Sequence, residues 1–196
     1  MKCNKCTDTK CYQGKDCFNM AENVMDSLTD EDIRIMKTAA YIEGKGYMKL
    51  CRIEEVIKFA EMMNYRKIGI AFCIGLKNEA KTIHKILENK FDVVSVCCKI
   101  CGIDKKELSF QQIDDGRYEA TCNPVGQAML LNRCNTDLNI TVGLCIGHDI
   151  LFNRHSDAPV TALIVKDRPL GHNPAAAIYS NYHLKRLLTP KFDVKI

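Results

Sequence analysis

From Lys67 onward, short apolar runs alternate with amphipathic stretches. KIGIAF (67–72), FDVVSV (91–96), LNITVGL (138–144) and PVTALIV (159–165) read as strands. Between them, KNEAKTIHKILENK (77–90) reads as a helix with Ile83, Ile86 and Leu87 inward. NPVGQAMLLNR (123–133) reads as another, with Asn123 as N-cap and Pro124 at the first helical position. HDILFNRHS (148–156) is a short helix, and NPAAAIYSNYHLKRLL (173–188) a last one capped by Asn173. Upstream, LTDEDIRIMKTAAYIEGKG (28–46) predicts a helix capped by Thr29, stopped near Gly44, with Ile33, Met36, Ala40 and Tyr41 on one face. LCRIEEVIKFAEMMNY (50–65) predicts another, with Ile53, Val56, Ile57, Ala60 and Met63 on one side.

Strands alternating with helices predict an α/β fold: a mostly parallel sheet of four or more strands, covered by helices on both faces. Three segments follow: a Cys-rich loop over 1–20, a helical segment over 21–65 and the α/β domain over 66–196. The domain divides into two βαβα half-repeats. Strand, Cys-Ile-Gly, helix, strand, polar loop, Asn-Pro, helix describes 67–133 and again 139–187. Cys73 then matches Cys145, and Cys122 matches His172.

Composition adds one anomaly, 12 cysteines among 196 residues. A net charge of +4 without a dense Lys/Arg run gives no support to a nucleic-acid partner. There is no signal-peptide core, and no run of about 18 apolar residues to cross a membrane. A cytoplasmic location is therefore expected, where thiols stay reduced and cysteine richness points to metal or redox chemistry. No phosphate-binding glycine loop occurs, so nucleotide use has no support.

In a parallel α/β sheet the strand-to-helix loops leave at the carboxyl edge, where ligands bind. Cys73 and Cys145 end strands. Cys97, Cys98 and Cys101 follow the second strand, and Cys122 precedes a helix. The topology thus brings Cys73, Cys98, Cys101, Cys122 and Cys145 to one edge, as candidate ligands of a cofactor. The glycine of each Cys-Ile-Gly is expected to let the backbone come close to that site. Thiolates gathered together need a cation to neutralise them, which points to a metal or an iron–sulfur cluster. The alternative is that these cysteines are small buried apolar residues.

A second set, Cys3, Cys6, Cys11 and Cys17, has the spacing C-x2-C-x4-C-x5-C and is a candidate metal site. Zinc would staple this loop; a 4Fe–4S cluster takes the same four thiolates. Cys51, Cys97 and Cys134 read as structural. Lys166, Arg168 and His172, in one loop after the last strand, are candidate catalytic residues that orient an anionic substrate or move a proton. His148 reads as a capping or packing residue beside the site.

The ordered motifs, from the N-terminal cysteines through CKICG, TCNPVGQA, CIGHDILF, APVTALIVKDR and GHNPAAAIY, resemble an uncharacterised family of predicted metal-binding proteins of archaea and anaerobic bacteria. The resemblance covers nearly the whole chain and implies metal binding in an anaerobic setting. Two functions stay open. One is an iron–sulfur protein with one or two 4Fe–4S clusters, doing redox, lyase or desulfurase chemistry on a small-molecule substrate, or passing electrons to a redox partner protein. The other is a zinc or soft-metal binding or sensing module without catalysis.

Overall fold

The structure, a computed structural model, describes residues 1–189 and Val194. It divides into two compact units, Met1–Lys49 and Leu50–Ile196. In the first, Cys3–Lys5 and Lys10–Gln13 form 3-10 turns, followed by helices α1 (Ala21–Ser27) and α2 (Asp30–Gly46). The expected cap of α2 is present. Thr29 Oγ1 accepts the Asp32 N–H at 3.2 Å, and the Asp32 carboxylate accepts the Thr29 N–H at 2.9 Å.

Two expectations for α2 are corrected. The helix runs through Gly44 to Gly46. Ile33, Met36, Ala40 and Tyr41 are exposed, and Thr38 and Ile42, one turn apart, are the buried positions instead. This unit contains no sheet for a long apolar stripe to lie against.

The second unit is the predicted α/β fold. Helix α3 (Arg52–Met62) leads to β1 (Lys67–Phe72), then α4 (Lys77–Leu87) and β2 (Asp92–Cys97). After a long excursion come α5 (Pro124–Arg133), β3 (Leu138–Val142), α6 (His148–His155) and β4 (Val160–Ile164). Two short helices close the described chain, α7 (Ala176–Tyr179) and α8 (Asn181–Leu187). The single capped helix expected there is broken at Ser180, whose backbone is extended. Asn173 accepts the Ala176 N–H through its backbone carbonyl rather than capping with its side chain. The helical segment read from the sequence divides between the two units, because α3 packs on the sheet.

The four strands are all parallel, in the order β2-β1-β3-β4. Period-two alternation sorts their side chains. Ile68 and Ile70 of β1 and Leu138, Ile140 and Val142 of β3 face α3 and α4, meeting Val56, Ala60, Ala80, Ile83 and Leu87. Ile86 lies outside this stripe and is 40% exposed, against the expectation. On the opposite face Ala71 meets Ala128 and Leu131 of α5 and Phe152 of α6. Gly69 shares that face because nothing larger fits: a Cβ there would lie 2.0 Å from Asn139 Oδ1 and 3.0 Å from Leu131 Cδ1. Buried Asn139 is satisfied, accepting from Thr136 Oγ1 at 2.9 Å and donating to Ser156 Oγ at 2.8 Å.

The face assignment has a consequence for the half-repeats. β1 connects to β2 through α4 on one face, and β3 connects to β4 through α6 on the other. A half-turn about an axis along the strands, between β1 and β3, exchanges the two strand-helix-strand units. At the carboxyl end of that axis the chain departs in opposite directions, the arrangement at which open α/β sheets form their ligand crevice.

The excursion from β2 to α5 zips back on itself. Glu119 O accepts the Lys105 N–H at 3.0 Å, Ile103 O accepts the Thr121 N–H at 2.8 Å, and Cys98 O accepts the Asn123 N–H at 2.7 Å. A 2.7 Å ion pair between Lys105 and Glu119, both largely shielded, locks the base. Residue 122 is thereby returned beside residue 98. Replacing Gly69 by Ala is expected to lower the unfolding free energy in urea by about 1–3 kcal/mol, the usual cost of overpacking a filled core; an unchanged denaturation midpoint would contradict this packing.

Candidate functional site

Three of the predicted sulfurs meet at the carboxyl edge. Cys73 directly follows β1, its N–H bonded to Val142 O of β3 at 3.1 Å. Cys98 directly follows β2, its N–H bonded to Phe72 O at 2.9 Å. Cys122 comes off the zipped excursion just before α5. Cys98 Sγ lies 3.7 Å from Cys122 Sγ and also hydrogen-bonds with the Cys73 sulfur. Cys98 is thus the middle of a row of three, drawn from sites 25 and 24 residues apart in the chain.

Positive groups surround the row. The Ile74 N–H donates to Cys98 Sγ at 3.3 Å, and the Gly75 N–H donates to the Cys73 sulfur. Both belong to the 3-10 turn Ile74–Leu76 that opens α4. Lys166 Nζ, from the loop after β4, is 3.3 Å from Cys73 Sγ. His148, the first residue of α6, hydrogen-bonds to Cys122, and the Lys99 ammonium adds positive potential there. Lys99 itself is held in place by donating to Ala120 O.

These neighbours set the protonation pattern. The Cys73 thiol is lowered to about 5, first by hydrogen bonding with Cys98, then by the Gly75 N–H and Lys166. Cys122 is lowered to about 4, first by Cys98, then by His148 and Lys99. Cys98 moves the opposite way, raised by its hydrogen bonds with Cys122 and Cys73 and by burial. His148 is raised by the Cys122 thiolate. Hydrogen bonding within the row therefore favours the thiolate at Cys73 and Cys122 and the thiol at Cys98.

The other candidates are placed differently. Cys145, after β3, lies 3.5 Å from Arg168 Nη2 and outside the sulfur row. Cys101 is exposed at φ +72°, and the partner of Cys98 is Cys122 rather than Cys101. Cys97 Sγ accepts the Lys99 N–H at 3.5 Å. His172 closes its own loop: its Nδ1 accepts the Asp167 N–H at 3.1 Å, and its N–H donates to Asp167 O at 2.7 Å. Cys3, Cys6, Cys11 and Cys17 are exposed in the first unit. Local hydrogen bonds engage Cys6 with Asp8, Cys11 with Thr9 O and Cys17 with Lys15 O. Among the described residues no three His, Cys, Asp or Glu side chains stand ready-made at metal-holding separation.

The glycines of the two Cys-Ile-Gly motifs differ from each other. A Cβ on Gly75 would make ordinary contacts, 3.4 Å from Lys166 Nζ and 3.9 Å from Cys73 Sγ, so what Gly75 contributes is its N–H. Gly147 has open space but φ +85°, so its backbone conformation is the reason for glycine. Two further residues complete the edge. Lys99 sits inside the CKIC motif, where only the sulfurs drew notice. Gln127 is fully buried in α5, and its Nε2 ties together Val96 O at 2.7 Å and Phe72 O at 3.2 Å, the ends of β2 and β1. Its Oε1 is buried with no hydrogen-bond partner. The signal was a polar residue in the stripe Pro124, Gln127, Ala128, Leu131 that α5 buries.

The comparisons agree with the resemblance read from the motifs. Residues 12–163 match the model of a family described as a protein of unknown function, DUF1847. The chain belongs to this family. It is similar to the uncharacterized protein MJ0455 of Methanocaldococcus jannaschii, 55% identical over 193 residues, spanning 97% of this chain and 100% of the other. Within the DUF1847 match lie Cys17 and all five candidate sulfurs of the sheet edge; Cys3, Cys6, Cys11, Lys166, Arg168 and His172 lie outside it. Among the described residues no helix is long and apolar enough to cross a membrane.

Two outcomes follow from the thiol row. In metal-free, reduced protein, iodoacetamide labelling of Cys122 followed by peptide mapping should change little between pH 6 and 8. Labelling of an ordinary thiol falls about tenfold per pH unit below its pKa of about 8.5. The lowered thiols should also make stability rise with pH: their contribution is complete above the unfolded value near 9 and disappears as pH falls through 5 and 4. Protonated Cys98 opposes this only above pH 9. Urea midpoints measured from pH 5 to 8.5 should therefore climb, and climb less steeply in Cys122→Ser; a flat wild-type profile would contradict the assignment.

Proposed function

We propose that this chain is a metal-binding protein whose centre is built by Cys73, Cys98 and Cys122. The supporting observation is the 3.7 Å separation of Cys98 Sγ and Cys122 Sγ. A tetrahedral ion with metal–sulfur bonds of about 2.3 Å sets its sulfurs about 3.8 Å apart, so this pair already spans one edge of such a site. Cys73, hydrogen-bonded to Cys98, is the third donor once its side chain turns toward the pair. Loss of its proton frees Cys98 as a ligand, as metal binding to thiols requires. The chemistry of the donors, all sulfur, suits zinc or another soft ion.

A single ion held by three sulfurs keeps one coordination position for a substrate or water, and when bound it supplies Lewis-acid chemistry there. The residues around it have separable roles. Lys166 and the Gly75 N–H stabilise the Cys73 thiolate, while His148 and Lys99 stabilise that of Cys122. Gln127 holds the ends of β1 and β2 in register beneath them. Burial of Cys73 and Cys98 excludes water from the sulfur row. The iron–sulfur reading uses the same sulfurs, but cysteines on different irons of a cluster stand farther apart than two on one ion.

The test is an oxygen-free purification with iron, zinc and acid-labile sulfide counted per chain. About one metal per chain, without sulfide, is expected at this centre, and it should be lost in Cys98→Ser and Cys122→Ser but retained in Cys51→Ser. Stoichiometric sulfide would replace the single ion by a cluster. Full metal retention in both Cys98→Ser and Cys122→Ser, with loss on replacing Cys3 and Cys6, would overturn the assignment and move metal binding to the N-terminal loop.

A further inference from the structure

The crevice between the loops that follow β1 and β3 has features that the sulfur row does not use. Neighbouring parallel strands are about 4.8 Å apart, so the exits of β1 and β3 face each other closely before the chain turns to opposite faces. Cys73 stands on one side and Cys145 on the other. The loop after β4 crosses this opening and sends one cation to each side: Lys166 Nζ to Cys73 Sγ at 3.3 Å, Arg168 Nη2 to Cys145 Sγ at 3.5 Å.

Neither cation has a carboxylate partner among the described ion pairs. The acid between them, Asp167, is turned away, its Oδ1 accepting the Leu170 N–H at 3.1 Å. The sulfurs do not neutralise the edge either. A divalent ion on three thiolates carries one net negative charge and the Asp167 carboxylate a second, against the three positive charges of Lys99, Lys166 and Arg168. An excess of cations at a partly desolvated edge favours an anionic ligand. Arg168 is exposed enough to meet such a ligand, and a guanidinium grips an oxyanion with two parallel hydrogen bonds.

The two lips of the crevice are apolar. Ile74 and Ile146, the middle residues of the paired Cys-Ile-Gly motifs, are 47% and 86% exposed. Each directly follows the cysteine on its side. Two isoleucines held out to water on either side of a cationic floor suit a ligand with an acidic head and a hydrocarbon body.

We propose that this crevice binds a small organic acid, with its oxyanion head between Lys166 and Arg168 and its apolar body against Ile74 and Ile146. The proposal deepens the metal-centre reading by naming the class of molecule presented to the open position. Its binding contacts do not depend on the metal being there. The acid head is anchored at the Cys145 side, and the remainder of the molecule reaches toward Cys73 and the sulfur row.

The probes are hexanoate, acetate and hexylamine, titrated calorimetrically into the oxygen-free protein as purified and again after chelation of its metal. Hexanoate should bind saturably in both preparations, acetate more weakly, and hexylamine not at all. Arg168→Gln should weaken hexanoate by about tenfold, the loss of one charge-assisted contact, with Arg168→Lys recovering part of it. Ile146→Ser should weaken hexanoate and leave acetate unchanged. Arg168 and Ile146 lie in exposed loop positions outside the core, and circular dichroism of each variant checks that the fold is kept. Metal content should be unchanged in Arg168→Gln, so failure of the metal reading and failure of the acid site are read separately. Equal binding of hexanoate and hexylamine, or wild-type hexanoate affinity in Arg168→Gln, overturns the proposal.

Discussion

Parallel pairing is the constraint on which this molecule turns. Once β1, β2, β3 and β4 run the same way, every segment leaving a strand must begin on one edge, whatever its position in the chain. Cys73 and Cys98 need no local motif to become neighbours; each only has to follow a strand directly. Cys122 is the exception, since it begins a helix. It reaches the edge because the excursion from β2 is hydrogen-bonded back along its own start, ending in the Asn123 N–H to Cys98 O contact. Backbone hydrogen bonds fix the sulfur positions, and the side chains tune them.

The tuning is electrostatic. Three adjacent sulfurs would repel if all were ionised, and would be inert if none were. The arrangement avoids both extremes by favouring the thiol at Cys98 and the thiolate at its two neighbours, with the Gly75 N–H and Lys166 at one end and His148 and Lys99 at the other. These donors come from four separate segments of the chain. The site is therefore coupled to the packing of both sheet faces, because the Ile74–Leu76 turn opens α4 on one face and His148 opens α6 on the opposite face.

Most of the scaffold was legible in the sequence. The apolar runs marked all four strands, and the strand-helix alternation gave their parallel sense. The convergence of thiols on the carboxyl edge followed from that sense alone. Pairing within the edge was not legible. Local spacing favoured Cys98 with Cys101, two residues between them, but the turn after Cys98 takes Cys101 out to solvent and the zipped loop substitutes Cys122. Lys99 and Gln127 escaped for a related reason: their importance lies in what they touch across the sheet, whereas His148 was legible as a residue beside the site. The exposed face of α2 was misread because periodicity identifies a stripe without showing whether any surface lies against it. The last helix was misread because nothing in Tyr179–Asn181 announces the extended Ser180.

The zipped excursion has one more implication. Its base is fastened by the Lys105–Glu119 pair, by backbone bonds and by the Ile113 N–H on Glu119 Oε2 at 2.7 Å, while its exposed tip, Asp114, Asp115 and Gly116, lies beyond the fastening. Mechanical load or added length at the tip is taken up at that clasp before it reaches Cys98 or Cys122. The excursion is thus an insulated handle, a place where evolution or an engineer can graft new sequence while leaving the sulfur edge undisturbed.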